Sequence, residues 1–141
     1  MTTITSPFRT DCLKSKVVLI TGGGSGIGFE VTKQLLAHGA KGAVICGRRQ
    51  EFLERSASIL RKETGKECKW KVTDVRNSTA CVDAVEYTIR QFGRLDILVN
   101  GAAGNFLAEA KDLSPKGFAT VMSIDTLGTF NMCSAAFPSL K

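Results

Sequence analysis

The chain has 141 residues, of which 43% are hydrophobic and 23% charged, a balance that suits a single globular domain with its own core and argues against disorder. No apolar run approaches membrane-spanning length, and the polar segment from Met1 to Lys16 lacks the apolar stretch and cleavage site of a secretory signal, so neither membrane insertion nor secretion is expected. The net charge of +6 admits a polyanionic partner, but the basic residues are dispersed without interleaved aromatics; no nucleic acid is expected, and a phosphate-rich small molecule suits the same charge.

Five cysteines (Cys12, Cys46, Cys68, Cys81, Cys133) are odd in number and form no C-x-x-C pair. With His38 the single histidine, neither a disulfide framework nor a metal site is expected.

In chain order, the apolar run Val17-Val18-Leu19-Ile20 reads as a strand and leads into Thr21-Gly22-Gly23-Gly24-Ser25-Gly26-Ile27-Gly28. Glycines at a strand exit let the backbone turn sharply and present its N–H groups to a pyrophosphate at the following helix N-terminus. The spacing is T-G-x-x-x-G-x-G rather than G-x-G-x-x-G, a different loop length for the same task. Phe29, Val31, Leu35 and Leu36 then recur at helical spacing up to Gly39, and His38 in the last turn reads as structural, beside the negative end of the helix dipole.

Ala43-Val44-Ile45-Cys46 has the continuous apolarity of a buried parallel strand and ends at Gly47-Arg48-Arg49. About 20 residues beyond the glycine loop, an NAD site places an acid for the ribose 2′-hydroxyl; Arg48 stands there instead, and a guanidinium favours a 2′-phosphate, hence NADPH. The plainer alternative is that Arg48 and Arg49 open a solvated helix. That helix is marked by Phe52, Leu53, Ser56, Ile59 and Leu60 and ends near Gly65.

A strand over Cys68 to Val75 follows, with Asp74 at its carboxyl end, where it is placed either to accept from an adenine amino group or to cap the next turn with Asn77 and Ser78. Val82, Val85, Ile89 and Phe92 mark a third helix closing at Gly93, and Leu95 to Val99 a fourth strand. Such alternation predicts an α/β fold, a Rossmann-type doubly wound parallel sheet. The fourth strand exits into Asn100-Gly101-Ala102-Ala103-Gly104-Asn105-Phe106. If strands one and four are neighbours, this loop shares a crevice with the glycine loop, where Ala102 lets a cofactor lie near the backbone and Asn100 can fix the loop. A last helix begins at Ser114-Pro115-Lys116 and places Phe118, Val121, Asp125, Gly128 and Met132 on one face. Asp125 is thus a carboxylate on an apolar stripe, where burial raises its pKa unless a donor compensates; it reads equally as a catalytic group or as a structural hydrogen-bond partner.

These four features together, the Thr21 to Gly28 loop, Asp74-Val75, the Asn100 to Gly104 loop and the Asp125 helix, resemble the short-chain dehydrogenase/reductase family over nearly the whole chain. Within it, Gly101 to Leu107 and Ser123 to Asn131 are most similar to the peroxisomal 2,4-dienoyl-CoA reductase branch. The resemblance implies NADPH-dependent reduction of 2,4-dienoyl-CoA to 3-enoyl-CoA during breakdown of unsaturated fatty acids, with a 2-enoyl-CoA or 3-oxoacyl reductase as the alternative. It implies that Gly23, Gly24, Ser25, Gly26, Ile27, Gly28, Arg48, Arg49, Gln50, Glu51, Phe52 and Asp74 contact the cofactor. By the same resemblance Arg48, Arg76, Phe106, Ser114, Pro115 and Lys116 face the substrate, and Asp125 is catalytic, positioning or polarising a water that delivers a proton.

The family continues past the equivalent of Lys141 with a catalytic lysine, in most members within Tyr-x-x-x-Lys; here the single tyrosine, Tyr87, is followed at that spacing by Gln91. The expectation is therefore an N-terminal portion of one NADP-binding domain, with an incomplete sheet and active site, an exposed fourth strand, and a homo-oligomer at full length. An NADPH-binding chain without turnover is the other reading. Peroxisomal localisation follows from the resemblance alone, because Ser139-Leu140-Lys141 is not the Ser-Lys-Leu address.

Overall fold

The computed structural model describes residues 6–140; the first five residues and Lys141, the end of the tripeptide above, lie outside the described residues. Strands and helices alternate as β1 (Val17–Thr21), α1 (Gly26–Ala37), β2 (Gly42–Gly47), α2 (Gln50–Thr64), β3 (Glu67–Val72), α3 (Ser78–Phe92) and β4 (Ile97–Asn100). Then come α4 (Pro115–Met122), one π-helical turn (Ser123–Leu127) and α5 (Gly128–Ala136).

The strands are parallel in the order β3-β2-β1-β4. In register, Val18 of β1 lies between Ala43 and Ile97, and Thr21 lies between Cys46 and Asn100. Because side chains alternate along a strand, β1 divides its apolar residues between two cores. Val18 and Ile20 pack with Ala43, Ile45, Leu36 and Leu60 on the α1–α2 side. Leu19 packs with Val44, Cys81, Val85 and Met132 on the α3–α5 side. Burying each large side chain completely contributes about 1.5–3 kcal/mol, so a central strand with no exposed residue is where this fold is anchored.

Several boundaries and faces depart from the sequence expectations. β3 ends at Val72, because the Thr73 N–H still reaches Gly47 O (2.8 Å) but the chain then turns at Asp74. β4 begins at Ile97, since the Asp96 carboxylate accepts the Val17 N–H (2.8 Å) that a longer strand would have taken. Phe52, Ile59, Val82 and Phe118 are exposed; the inner face of α2 is Leu53, Ser56, Ala57 and Leu60, and that of α3 is Cys81, Ala84, Val85 and Thr88. Helix caps follow the sequence signals: the Asn77 side chain accepts the Ala80 N–H, and α2 and α3 stop at Gly65 and Gly93.

The single last helix expected from periodicity is broken by the π-helical turn, in which the Gly128 N–H donates to Ser123 O, five residues back. His38 closes α1, its ring nitrogens lying 2.7 Å from Gln34 O and 2.8 Å from the Ser6 hydroxyl, a structural engagement. The five cysteines are free, and burial pushes the Cys46 and Cys68 thiols up to about 12. Among the described residues no helix is long and apolar enough to cross a membrane, and no group of three or more His, Cys, Asp or Glu is placed to hold a metal. The outer edge of β4 has no strand partner among the described residues.

Candidate functional site

Where β1, β2 and β4 end together, their loops enclose a crevice of about 520 Å³. β1 leaves the sheet through Gly22, whose φ of +69° and proximity to the next loop both require glycine: a Cβ there would stand 2.5 Å from Gly101 O. A Cβ on Gly28 would overlap Gly22 O, so the first turn of α1 sits directly against the loop. Ser25, the N-cap of α1, makes no side-chain cap hydrogen bond and the first turn carries no acid. Its orphan N–H groups and the positive end of the helix dipole are therefore available beside the crevice, a donor set that fits an anionic diphosphate.

The loops are held together by side chains whose clasping role has no signature in the sequence. The hydroxyl of Thr21, a residue only 1% exposed, accepts from both the Gly101 and Ala102 N–H groups at 3.1 Å. The Ser56 hydroxyl of α2 donates to Gly24 O at 2.7 Å. The Asn131 amide of α5 donates to Val75 O at 2.9 Å and steadies the turn that carries Asp74. Each is a small polar residue whose partner is distant in sequence, so spacing offered no signal. Ile124, within the Ser123 to Asn131 stretch but given no site role by the sequence, also lines the crevice.

Of the residues expected at the cofactor site, Gly24, Ser25, Ile27 and Gly28 line the crevice. So do Arg48, Arg49, Phe52, Asp74 and Ala102 on its other sides. Gly23 instead packs on Ile45 and Gly26 sits in open space, so these two shape the loop. Gln50 and Glu51 form the exposed first turn of α2 and do not line the crevice. Asn100 does not line it either: its amide donates to Cys133 Sγ at 3.3 Å, and Thr21 is what fixes the loop.

The lip of the crevice is cationic. The Arg49 guanidinium lies 4.3 Å from the centroid of the Phe52 ring, a cation–π contact that leaves its N–H edge free to serve a ligand. The Asp74 carboxylate accepts from the Arg76 guanidinium and the Arg76 N–H. These hydrogen bonds, with the charges of Arg76 and Arg48, hold the Asp74 carboxyl below the usual carboxylate range against the opposing effect of desolvation. Asp74 thus caps its own turn while remaining on the crevice wall.

The remaining expected residues gather on the far side of the second loop. Ser114 accepts the Gly117 N–H at 3.1 Å as N-cap of α4, Pro115 occupies the first turn, and Lys116 is exposed. Phe106 projects near Gly117, so the loop and the start of α4 form one surface with an exposed ring. Asp125, half-buried in the π-helical turn, accepts the Gly104 N–H through Oδ1 at 2.8 Å, while its own carbonyl accepts the Thr129 hydroxyl. The carboxylate therefore grips the loop that borders the crevice, and Oδ2 has no hydrogen bond recorded among the described residues.

A parallel sheet with helices on both faces, a glycine loop at the exit of its central strand, and a crevice where β1 and β4 diverge into opposite connections define a dinucleotide-binding α/β domain. The family model for short chain dehydrogenase matches residues 16–141, and the chain belongs to that family. It is similar to the peroxisomal 2,4-dienoyl-CoA reductase of Arabidopsis thaliana, 53% identical over 136 residues, covering 96% of this chain and 45% of that protein. The chain thus spans about half the length of the curated relatives it matches. Among solved structures it superposes on an NAD⁺-bound xylitol dehydrogenase with a TM-score of 0.86 at 29% identity, covering 92% of this chain and 49% of the other. An alcohol dehydrogenase from Thermococcus sibiricus, complexed with 5-hydroxy-NADP, superposes with a TM-score of 0.83 at 26% identity, covering 90% and 54%.

Proposed function

We propose that the crevice binds NADPH and that this chain forms the cofactor-binding, N-terminal portion of a reductase acting on 2,4-dienoyl-CoA to give 3-enoyl-CoA, in the peroxisomal breakdown of unsaturated fatty acids. The observation that carries the cofactor reading is the pair Arg48 and Arg49 on the crevice wall beyond β2, where an NAD site would present an acid. The substrate reading is supported by the similarity to a relative named for that reaction. NADPH supplies the reducing equivalent.

The chain's own residues then have distinct tasks. The N–H groups from Gly24 to Gly28 hold the pyrophosphate, Arg48 and Arg49 take the 2′-phosphate, and the Asp74 carboxylate accepts from the adenine amino group. Ala102 keeps the opposite wall low, so that the cofactor lies close to the backbone. Arg76, Phe106 and the Ser114-Pro115-Lys116 start of α4 offer a cation, an exposed ring and a basic helix entrance to an acyl-CoA. Asp125, one oxygen engaged by Gly104, holds the proton-transferring water with the other. In this reading the rest of the sheet, the remaining catalytic groups and a homo-oligomeric contact belong to the part of the relatives' length that the chain does not span.

The deciding experiment is Arg48→Asp, read by equilibrium titration with NADPH and NADH. Losing a charge-assisted phosphate contact weakens NADPH by about tenfold or more, and preference moves toward NADH. An unchanged preference overturns the cofactor assignment. NADPH binding without dienoyl-CoA turnover in a protein of the relatives' full length would favour the alternative of a nucleotide-binding chain with no reductase activity.

A further inference from the structure

The contact between Ser56 and the glycine loop points to a positioning residue for cofactor specificity. Three residues from the first two turns of α2 meet the loop at the same place. A Cβ built on Gly24 would come 3.2 Å from Leu53 and 3.9 Å from Phe52, and the Ser56 hydroxyl donates to Gly24 O at 2.7 Å. Leu53 and Phe52 supply contact without direction; the hydrogen bond fixes the loop carbonyl at one point along the helix, and Ser56 is buried enough (6% exposed) that water competes poorly for it.

The same helix follows directly from Arg49, its N-cap, with Phe52 under the Arg49 guanidinium. α2 is therefore a rigid bar. One end carries the cations at the crevice lip, and the next turn, through Ser56, grips the loop against which a diphosphate would lie. The spacing between these two anion-binding elements is what a dinucleotide bearing a 2′-phosphate must match, whereas one lacking that phosphate engages the loop alone.

We propose that Ser56 sets this spacing, and so tunes the preference between phosphorylated and unphosphorylated dinucleotides without touching either. The inference rests on the NADPH reading above. Its test is the full chain carrying Ser56→Ala or Ser56→Thr, titrated with NADPH and NADH well below the melting temperature. Loss of one buried hydrogen bond to the loop weakens NADPH by about three- to tenfold. NADH weakens by less, so the ratio of the two dissociation constants narrows, and Ser56→Thr, which keeps the hydroxyl, restores the ratio. A merely structural serine would lower the melting temperature and leave the ratio unchanged, and that result overturns the proposal, as does an equal loss for both dinucleotides. Failure of the parent protein to prefer NADPH would instead refute the underlying cofactor reading, independently of how Ser56→Ala behaves.

Discussion

The Thr21 hydroxyl joins the two loops at a single point, because one oxygen at the end of the central strand accepts from two N–H groups of the loop that leaves β4. Thr21→Val removes the oxygen while conserving shape, so the effect is not a cavity. The two donors are not equally stranded. Gly101 N–H also reaches Val99 O at 3.2 Å, whereas no second acceptor is recorded for Ala102 N–H among the described residues. An unsatisfied buried donor costs about 1–3 kcal/mol. Ala102 is only half-buried and the crevice admits water, so the lower half of that range applies, about 1–2 kcal/mol. For a domain of this size the melting temperature should fall by about 3–8 °C. Amide hydrogen exchange supplies the local readout: Ala102 should exchange about five- to thirtyfold faster, in step with the same free energy, while interior amides of β1 and β2 change no more than global stability requires. A Thr21→Val protein that melts within about 1 °C of the parent, with Ala102 exchange unaltered, would refute the assignment of Thr21 as the clasp between the two loops.

Two further outcomes follow from the electrostatics and from the π-helical turn. Hydrogen bonds from Arg94, joined by the Val17 N–H and the nearby charges of Arg94 and Lys16, hold the Asp96 carboxyl below its usual range despite desolvation. A depressed folded-state pKa contributes stability that is complete above the unfolded value of about 3.9 and is lost as pH falls through the folded value. The melting temperature should therefore drop as pH is lowered below about 4, and Asp96→Asn should start lower at neutral pH and fall less steeply; parallel curves would discount this carboxylate. At Asp125, the asparagine variant can still accept the Gly104 N–H through its amide oxygen, whereas alanine cannot. In a protein of the relatives' full length, Asp125→Asn should keep its melting temperature and NADPH affinity but lose about a hundredfold or more in turnover, while Asp125→Ala loses turnover and melting temperature alike. An active Asp125→Asn protein would reduce this residue to a loop anchor.

The parallel α/β order was legible because β1, β2 and β4 are short apolar runs, β3 alternates Cys68, Trp70 and Val72 with charged residues, and the helices repeat their apolar residues at helical spacing. β1 is the extreme case: Val17 to Ile20 is buried on both sides, and only the centre of a parallel sheet asks that of a strand. Large apolar residues can stand outside the core face, since periodicity does not say which of two adjacent stripes meets the sheet. Phe52 shows why. It repeats with Ser56 and Ile59, yet it stands outside the core, under Arg49 and against the crevice. The glycine loop and the arginine pair could be placed because they depend on local backbone geometry and on position relative to β1 and β2. The clasps could not: Thr21 to Ala102 and Ser56 to Gly24 join residues 81 and 32 positions apart, and a serine or threonine carries no mark of its distant acceptor or donor.

Asp125 combines both situations. Its place on the last helix was visible, but the helix that periodicity describes is uniform and the one that forms is not. Gly128 lies against the side chain of Val75, where a Cβ would overlap Val75 Cγ2, so α5 approaches the turn after β3 more closely than any other residue type would permit. Asn131, one turn further on, bonds Val75 O and fixes that approach. At the other end, α4 is positioned by Ser114 and by Phe106 near Gly117. The π-helical turn lies between these two attachments and accommodates an extra residue, which is where such turns are commonly found at functional sites. Its consequence is that the Asp125 carboxylate is directed onto Gly104, so the loop bordering the crevice is set by packing between α5 and the sheet. Gly128→Ala should therefore loosen the crevice wall through Asp125, read as faster amide exchange at Gly104, although Gly128 itself does not line the crevice.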